Sequence, residues 1–105
     1  MEKLKLAILA SGSGSTGEPL FSQAVVVVTN NPNAGIIARI ARYNQLNETS
    51  LACLVRPRRD FRVYTNGQVD ELASRLKYGE ELLSIFLKYG VRFVSQNGWG
   101  ILTPV

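Results

Sequence analysis

The 105-residue sequence predicts an α/β fold, a parallel sheet with helices on both faces. Three observations predict it. Short apolar runs bounded by turn residues, of which "AVVVVT" at 24–29 is the strongest, have the composition of strands buried on both faces. Longer segments between them carry apolar residues at helical spacing. The first apolar run ends abruptly in "SGSGSTG" (11–17), seven residues that are all Gly, Ser or Thr, at the place where such sheets bind ligands.

Strand one is "LKLAILA" (4–10). Only "GEPLFSQ" separates Thr16 from strand two, "AVVVVT", whereas a right-handed crossover normally takes about a dozen residues. The first helix is therefore shortened. "NAGIIARIARYNQ" forms the next helix, with Ile36, Ile37, Ile40 and Ala41 on one stripe, Arg39 and Arg42 outside it, and Asn33 as N-cap. "LACLV" (51–55) is strand three, and a long loop follows. Val69, Leu72, Ala73, Leu76, Leu83, Phe86 and Leu87 then keep helical spacing up to Gly90, a suitable residue to end the helix. "VRFVSQ" (91–96) is strand four. The expected strand order is 3-2-1-4, in a single domain over 1–105.

Composition sets limits on function. With 46% hydrophobic and 19% charged residues this is one globular domain. The net charge of +4 suits an anionic ligand, but it is too small and too spread to argue for nucleic acid. Cys53, between apolar neighbours in "SLACLV", reads as a small buried hydrophobe and not as a disulfide half or metal ligand, which fits a reducing, cytoplasmic setting. Lys3 and Lys5 precede "LAILA", yet that run is shorter than the roughly 7–15 residues of a secretory signal, and no stretch approaches the ~20 of a membrane span. Neither targeting nor a membrane is expected.

In this architecture ligands sit beyond the carboxyl ends of the strands, above all where the strand order reverses, here at the end of strand one. Without bulky side chains, the backbone N–H groups of Gly12, Ser13, Gly14, Ser15 and Thr16 can converge on phosphate oxygens, with the three hydroxyls assisting. The competing reading is a plain flexible turn. The loop matches neither G-x-G-x-x-G nor G-x-x-x-x-G-K-[ST], so dinucleotide binding and ATP hydrolysis have no motif behind them. "RPRRDFR" (56–62) gathers four arginines but interleaves no aromatic except Phe61, and reads as a solvated loop. Asp70, Glu71, Glu80 and Glu81 are placed to face water or pair with nearby cations. "TNNPNAG" is a strand-to-helix turn whose asparagines also rim the ligand cleft.

"KLAILASGSGST", "VVVVTNNPNAGIIARIARYN" and "SRLKYGEELLSIFLKYGVRFVSQNGWGILTP", in that order, resemble the N-terminal half of the phosphoribosylglycinamide formyltransferase family. The methionyl-tRNA formyltransferase branch, which lacks such a loop, is less similar. The resemblance implies a Rossmann-like fold and a role in purine biosynthesis: formyl transfer from 10-formyltetrahydrofolate, as co-substrate, to the amine of a phosphoribosyl glycinamide. It implies no metal. Gly14, Ser15 and Thr16 match the loop positions that touch the substrate phosphate. Arg75 aligns with a folate-contacting arginine at the start of the helix before strand four, which makes Ser74 that helix's N-cap. Trp99, Gly100, Ile101 and Leu102 stand where the family's backbone grips the pterin. Gly100 replaces a basic residue there, and Trp99 serves equally well as a core aromatic.

The family's catalytic asparagine, histidine and aspartate lie beyond strand four. This sequence ends at Val105 and contains no histidine, so no catalytic residue is assigned. Two readings stay open. One is the phosphate-binding half of a formyltransferase, truncated or completed by another chain and inactive alone. The other is a non-catalytic α/β module that binds a phosphate-bearing small molecule or a protein. Strand four also has an open edge with Arg92 as its one charge, so a homo-oligomer through this strand and the C-terminal segment, partly covering Trp99, is expected.

Overall fold

The computed structural model describes residues 4–14 and 17–97. Its elements in chain order are β1 (Leu6–Ala10), a 3-10 helix (Glu18–Gln23), β2 (Ala24–Thr29), α1 (Gly35–Asn47), β3 (Ala52–Val55), a 3-10 turn (Arg58–Phe61), β4 (Val63–Thr65), β5 (Gln68–Asp70), α2 (Glu71–Tyr89) and β6 (Phe93–Asn97). The main sheet has the order β3-β2-β1-β6, and every neighbouring pair is parallel. The expected 3-2-1-4 order and α/β class are therefore observed, with β6 as the fourth strand.

All five residues of β1 are buried, which requires cover on both faces. Leu6, Ile8 and Ala10 point to one side, where Phe21, Ala24, Val27, Ile36 and Ile40 meet them. Ala7 and Leu9 point to the other and join Val26, Val28, Tyr78, Leu82 and Ile85. The β1–β2 register steps by one residue between Leu6 and Ala7, so that Leu6 faces Ala24 but Ala7 faces Val26. At the free edge, Phe93 and Val94 of β6 are both exposed.

The shortened first helix takes the form of the 3-10 segment, begun by Gly17 with Pro19 in its first turn. One aromatic supplies its packing: Phe21 is fully buried and meets Tyr43 edge-on at 5.4 Å between centroids. In α1 two expectations are corrected. The residue that begins the helix is Ala34, not Asn33, and Asn31 organises the turn by accepting the Asn33 N–H on its side chain (2.9 Å) and the Ala34 N–H on its carbonyl (3.0 Å). The buried face carries Ile36 and Ile40, while Ala41, about 140° round the helix from Ile36 at 100° per residue, is exposed. Asn44 ties the far end of α1 to β3, bonding both the N–H and the carbonyl of Leu51 and the Thr49 hydroxyl.

The segment expected as a long loop holds an antiparallel hairpin, β4–β5. Its two turn residues, Asn66 and Gly67, have φ of 54° and 78°, which is the backbone a type I′ turn requires. Helix α2 then starts after Asp70, whose carboxylate accepts the Ala73 N–H at 3.0 Å, so Asp70 and not Ser74 is the N-cap. Val69 belongs to β5 and not to the helix. The buried face of α2 is Tyr78, Leu82 and Ile85, whereas the expected core stripe of Leu72, Leu76, Leu83 and Leu87 is exposed. The helix ends as expected at Gly90, with φ 65° and its N–H directed to Leu87 and Phe86 carbonyls.

Candidate functional site at the carboxyl end of the sheet

β1 has a crossover partner on each side, so its carboxyl end is the point where the strand order reverses, and residues 11–14 leave the sheet there. The loop is held by backbone contacts. The Gly12 carbonyl accepts the Ile36 N–H in the first turn of α1 (3.1 Å), and the Gly14 carbonyl accepts the N–H groups of Gly17 and Glu18 (both 3.0 Å). The Asn31 side chain donates to the Ser11 carbonyl at 3.5 Å. The loop is thus wedged between the start of the 3-10 helix and the start of α1.

The glycines divide by what surrounds them. Gly14 has φ +73°, and a Cβ there would lie 2.5–2.8 Å from three side-chain atoms of Ile36. Packing alone therefore requires glycine at 14. A Cβ on Gly35 would come within 3.2 Å of the Ser13 backbone, so glycine there lets the loop close onto α1. Gly12 has no neighbour within 4 Å of a Cβ position and borders open space. Of the two described loop glycines, Gly12 and Gly14, it is the one beside which an added group meets no neighbour. Ser15 and Thr16 lie outside the described residues, as do Trp99, Gly100, Ile101 and Leu102.

Arg75 stands in the second turn of α2, half-buried, at the same end of the sheet but on the opposite face from the 11–14 loop. Its neighbour Ser74 is occupied structurally, donating to the Asp70 carbonyl (2.7 Å) and accepting the Val63 N–H (2.8 Å). The arginine run pins the 3-10 turn to α2: Arg56 reaches Glu81 (3.4 Å) and Arg58 reaches Glu71 (3.2 Å). Phe61 packs edge-on against Tyr78, with centroids 5.0 Å apart. The Tyr78 hydroxyl donates to the Arg56 carbonyl. Burial pushes this phenol above its ordinary value, a rise that the Arg56 charge opposes and the Glu81 charge reinforces. Burial likewise raises the Cys53 thiol, a free cysteine in β3.

A cavity of about 290 Å³ lies at the other end of the sheet, between Phe21, Ala24, Tyr43, Thr49 and Leu51, where β2 and β3 begin. It is remote from the 11–14 loop. Among the described residues no cluster of three His, Cys, Asp or Glu could hold a metal ion, and no helix is long and apolar enough to cross a membrane. Sequence reasoning missed Asn31 and Gly35 as supports of the loop. Their signal was present in "TNNPNAG", where an asparagine before proline favours a turn and a glycine opens the following helix.

No protein-family model matches the sequence, and no curated protein sequence matches it. The fold is similar to a solved structure, glycinamide ribonucleotide transformylase 1 from Geobacillus kaustophilus, with a TM-score of 0.63 at 20% identity. That likeness covers 99% of this chain and 50% of the other, so the chain spans half the length of the protein it matches and shares its fold over that half.

Proposed function

We propose that the loop following β1 binds the phosphoryl group of a small molecule, and that this chain acts as the substrate-phosphate half of a formyl-transfer machinery. The observation that carries the reading is the position of Gly12: a residue without a side chain that borders open space at the switch point of the sheet, in a loop buttressed by the start of α1. The fold-level likeness to a transformylase supports the choice among phosphate-bearing ligands. In this reading the amides of Gly12 to Thr16 and the hydroxyls of Ser13, Ser15 and Thr16 receive the phosphate. Arg75 and the 99–102 segment contact a 10-formyltetrahydrofolate co-substrate. The Ile36 N–H is already engaged by Gly12, so the loop's own amides supply the donors.

The test is a titration of backbone amide chemical shifts with inorganic phosphate and with ribose 5-phosphate. Shifts concentrated at 12–16 are expected, and movement elsewhere with none in this loop refutes the assignment. Folate contact is read separately from Trp99, the one tryptophan of the chain, whose emission changes on adding a tetrahydrofolate. These 105 residues contain no histidine, and a positioned general base contributes about 10²–10⁴-fold. No turnover of glycinamide ribonucleotide by the isolated chain is expected.

A further inference from the structure

Helix α2 is apolar over far more of its circumference than the sheet uses. Beyond the buried Tyr78, Leu82 and Ile85, it carries Leu72, Leu76, Leu83 and Leu87 at 64%, 48%, 56% and 76% exposure. Isolated exposed leucines are ordinary, but four on one stripe of a 19-residue helix are not. With Gly79 and the half-buried Phe86, the stripe runs Leu72, Leu76, Gly79, Leu83, Phe86, in steps of four, three, four and three. That is the seam spacing of paired helices. Glu81 reaches across to Arg56 at the end of β3, and the leucine stripe lies on the other flank, turned outward from the sheet.

We propose that this stripe is a homodimer interface in which α2 packs antiparallel against α2 of a second copy. The stripe is self-complementary, as a two-fold axis demands. With the axis between Gly79 and Glu80, at the middle of the helix, Leu72 faces the partner's Leu87 and Leu76 faces the partner's Leu83. Gly79 sits at the crossing point, where a missing side chain lets two backbones approach closely. Glycine in mid-helix is destabilising for the monomer relative to alanine, and the crossing gives it a use. Helices of about 28 Å paired along their length bury on the order of 1,000 Å² in total, near the lower bound for a specific interface. An interface of this size is expected to associate weakly and reversibly.

Sedimentation equilibrium of the whole chain from about 1 to 200 μM is expected to show a reversible monomer–dimer equilibrium. Leu83→Arg sets two like charges near the axis and should weaken the dimer at least tenfold, with the thermal melt of the monomer unchanged because the side chain is exposed. In a Cys53→Ser background, Gly79→Cys should cross-link on mild oxidation, while Lys77→Cys on the polar side should not. If either α2 variant perturbs folding, the other still reports. A monomer throughout the range overturns the proposal. So does a dimer that survives Leu83→Arg but is lost on Val94→Arg, since that dimer would be built on the β6 edge.

Discussion

Replacing Gly14 by alanine separates packing from ligand contact in the loop. The new Cβ would stand 2.5, 2.6 and 2.8 Å from Cγ1, Cδ1 and Cβ of Ile36, a fully buried side chain with no solvent to retreat into. Relief requires Ile36 to leave its rotamer or the loop to move, and overpacking of this kind costs about 1–3 kcal/mol. Holding a non-glycine residue at φ +73° adds about 1–2 kcal/mol. The expected loss is about 3 kcal/mol, a drop in Tm of at least ~10 °C for a domain of this size. Gly12→Ala meets no neighbour and should stay within about 0.5 kcal/mol of the parent. Urea denaturation gives both numbers, and Ile36→Val, which removes the Cδ1 atom, should recover at least ~0.5 kcal/mol when combined with Gly14→Ala. A Gly14→Ala protein as stable as the parent, or no coupling to Ile36→Val, refutes this packing. Gly12→Ala is therefore the informative variant for phosphate binding, because a binding defect at 14 would follow from disturbed packing whether or not phosphate touches it.

Tyr78→Phe removes the donor to the Arg56 carbonyl and should cost about 1–2 kcal/mol by denaturant titration, with Phe61 still packed on the ring. The Cys53 thiol is raised by burial, so it holds its proton in the folded chain at pH values where the unfolded chain releases it. Its contribution is complete below an unfolded pKa of about 8.5 and is lost as pH rises toward the folded value. Stability should thus fall above that pH, and the Cys53→Ala chain should lack that component of the fall. Glu48 ends α1 in the left-handed region at φ 53°, and Glu48→Gly should raise the melting temperature, with a gain of up to ~1 kcal/mol.

What the sequence made legible was whatever the sheet forces on composition. β1 and β2 must be apolar on both faces, and both stand out as unbroken apolar runs. The 3-10 segment in place of a helix follows from counting residues. The β4–β5 hairpin was equally written, in Asn66-Gly67, the strongest short-range hairpin signal, but flanking strands of three residues each left too little alternation to notice. In α2 the chain carries two apolar stripes, and spacing does not say which one the sheet takes. The sheet takes the one with Tyr78, whose hydroxyl finds a carbonyl and whose ring fills more volume than leucine. The packing demand on Gly14 was not legible, because Ile36 lies 22 residues away and is brought near only by the fold.

The proposed function places a geometric condition on the site. The 11–14 loop rests on the α1 face of the sheet, and Arg75 rises from α2 on the other face. Donor and acceptor held at these two places can meet only by passing over the end of the strands between them, where β1 and β6 run side by side with Ala10 opposite Asn97. The pairing from Leu6–Phe93 to Ala10–Asn97 runs unshifted along all five residues of each strand, so β6 keeps register with β1 up to the residue where the 11–14 loop departs. The shift that the sheet does contain, between Leu6 and Ala7 on the β2 side, sits at the far end of β1, where it changes packing around the start of β2 and leaves the carboxyl end in register. The same rigid pairing fixes residues 11–14 relative to α1, since the Gly12 and Gly14 carbonyls are each tied to the element beside them. Any ligand gripping the loop must therefore stabilise α1 as well, raising the unfolding free energy by RT ln(1 + [L]/Kd). A ligand in the cavity at the opposite end of the sheet, which borders α1 through Tyr43, would stabilise the fold by the same linkage, so substitution tells the two apart: only binding in the loop becomes sensitive to Gly12→Ala.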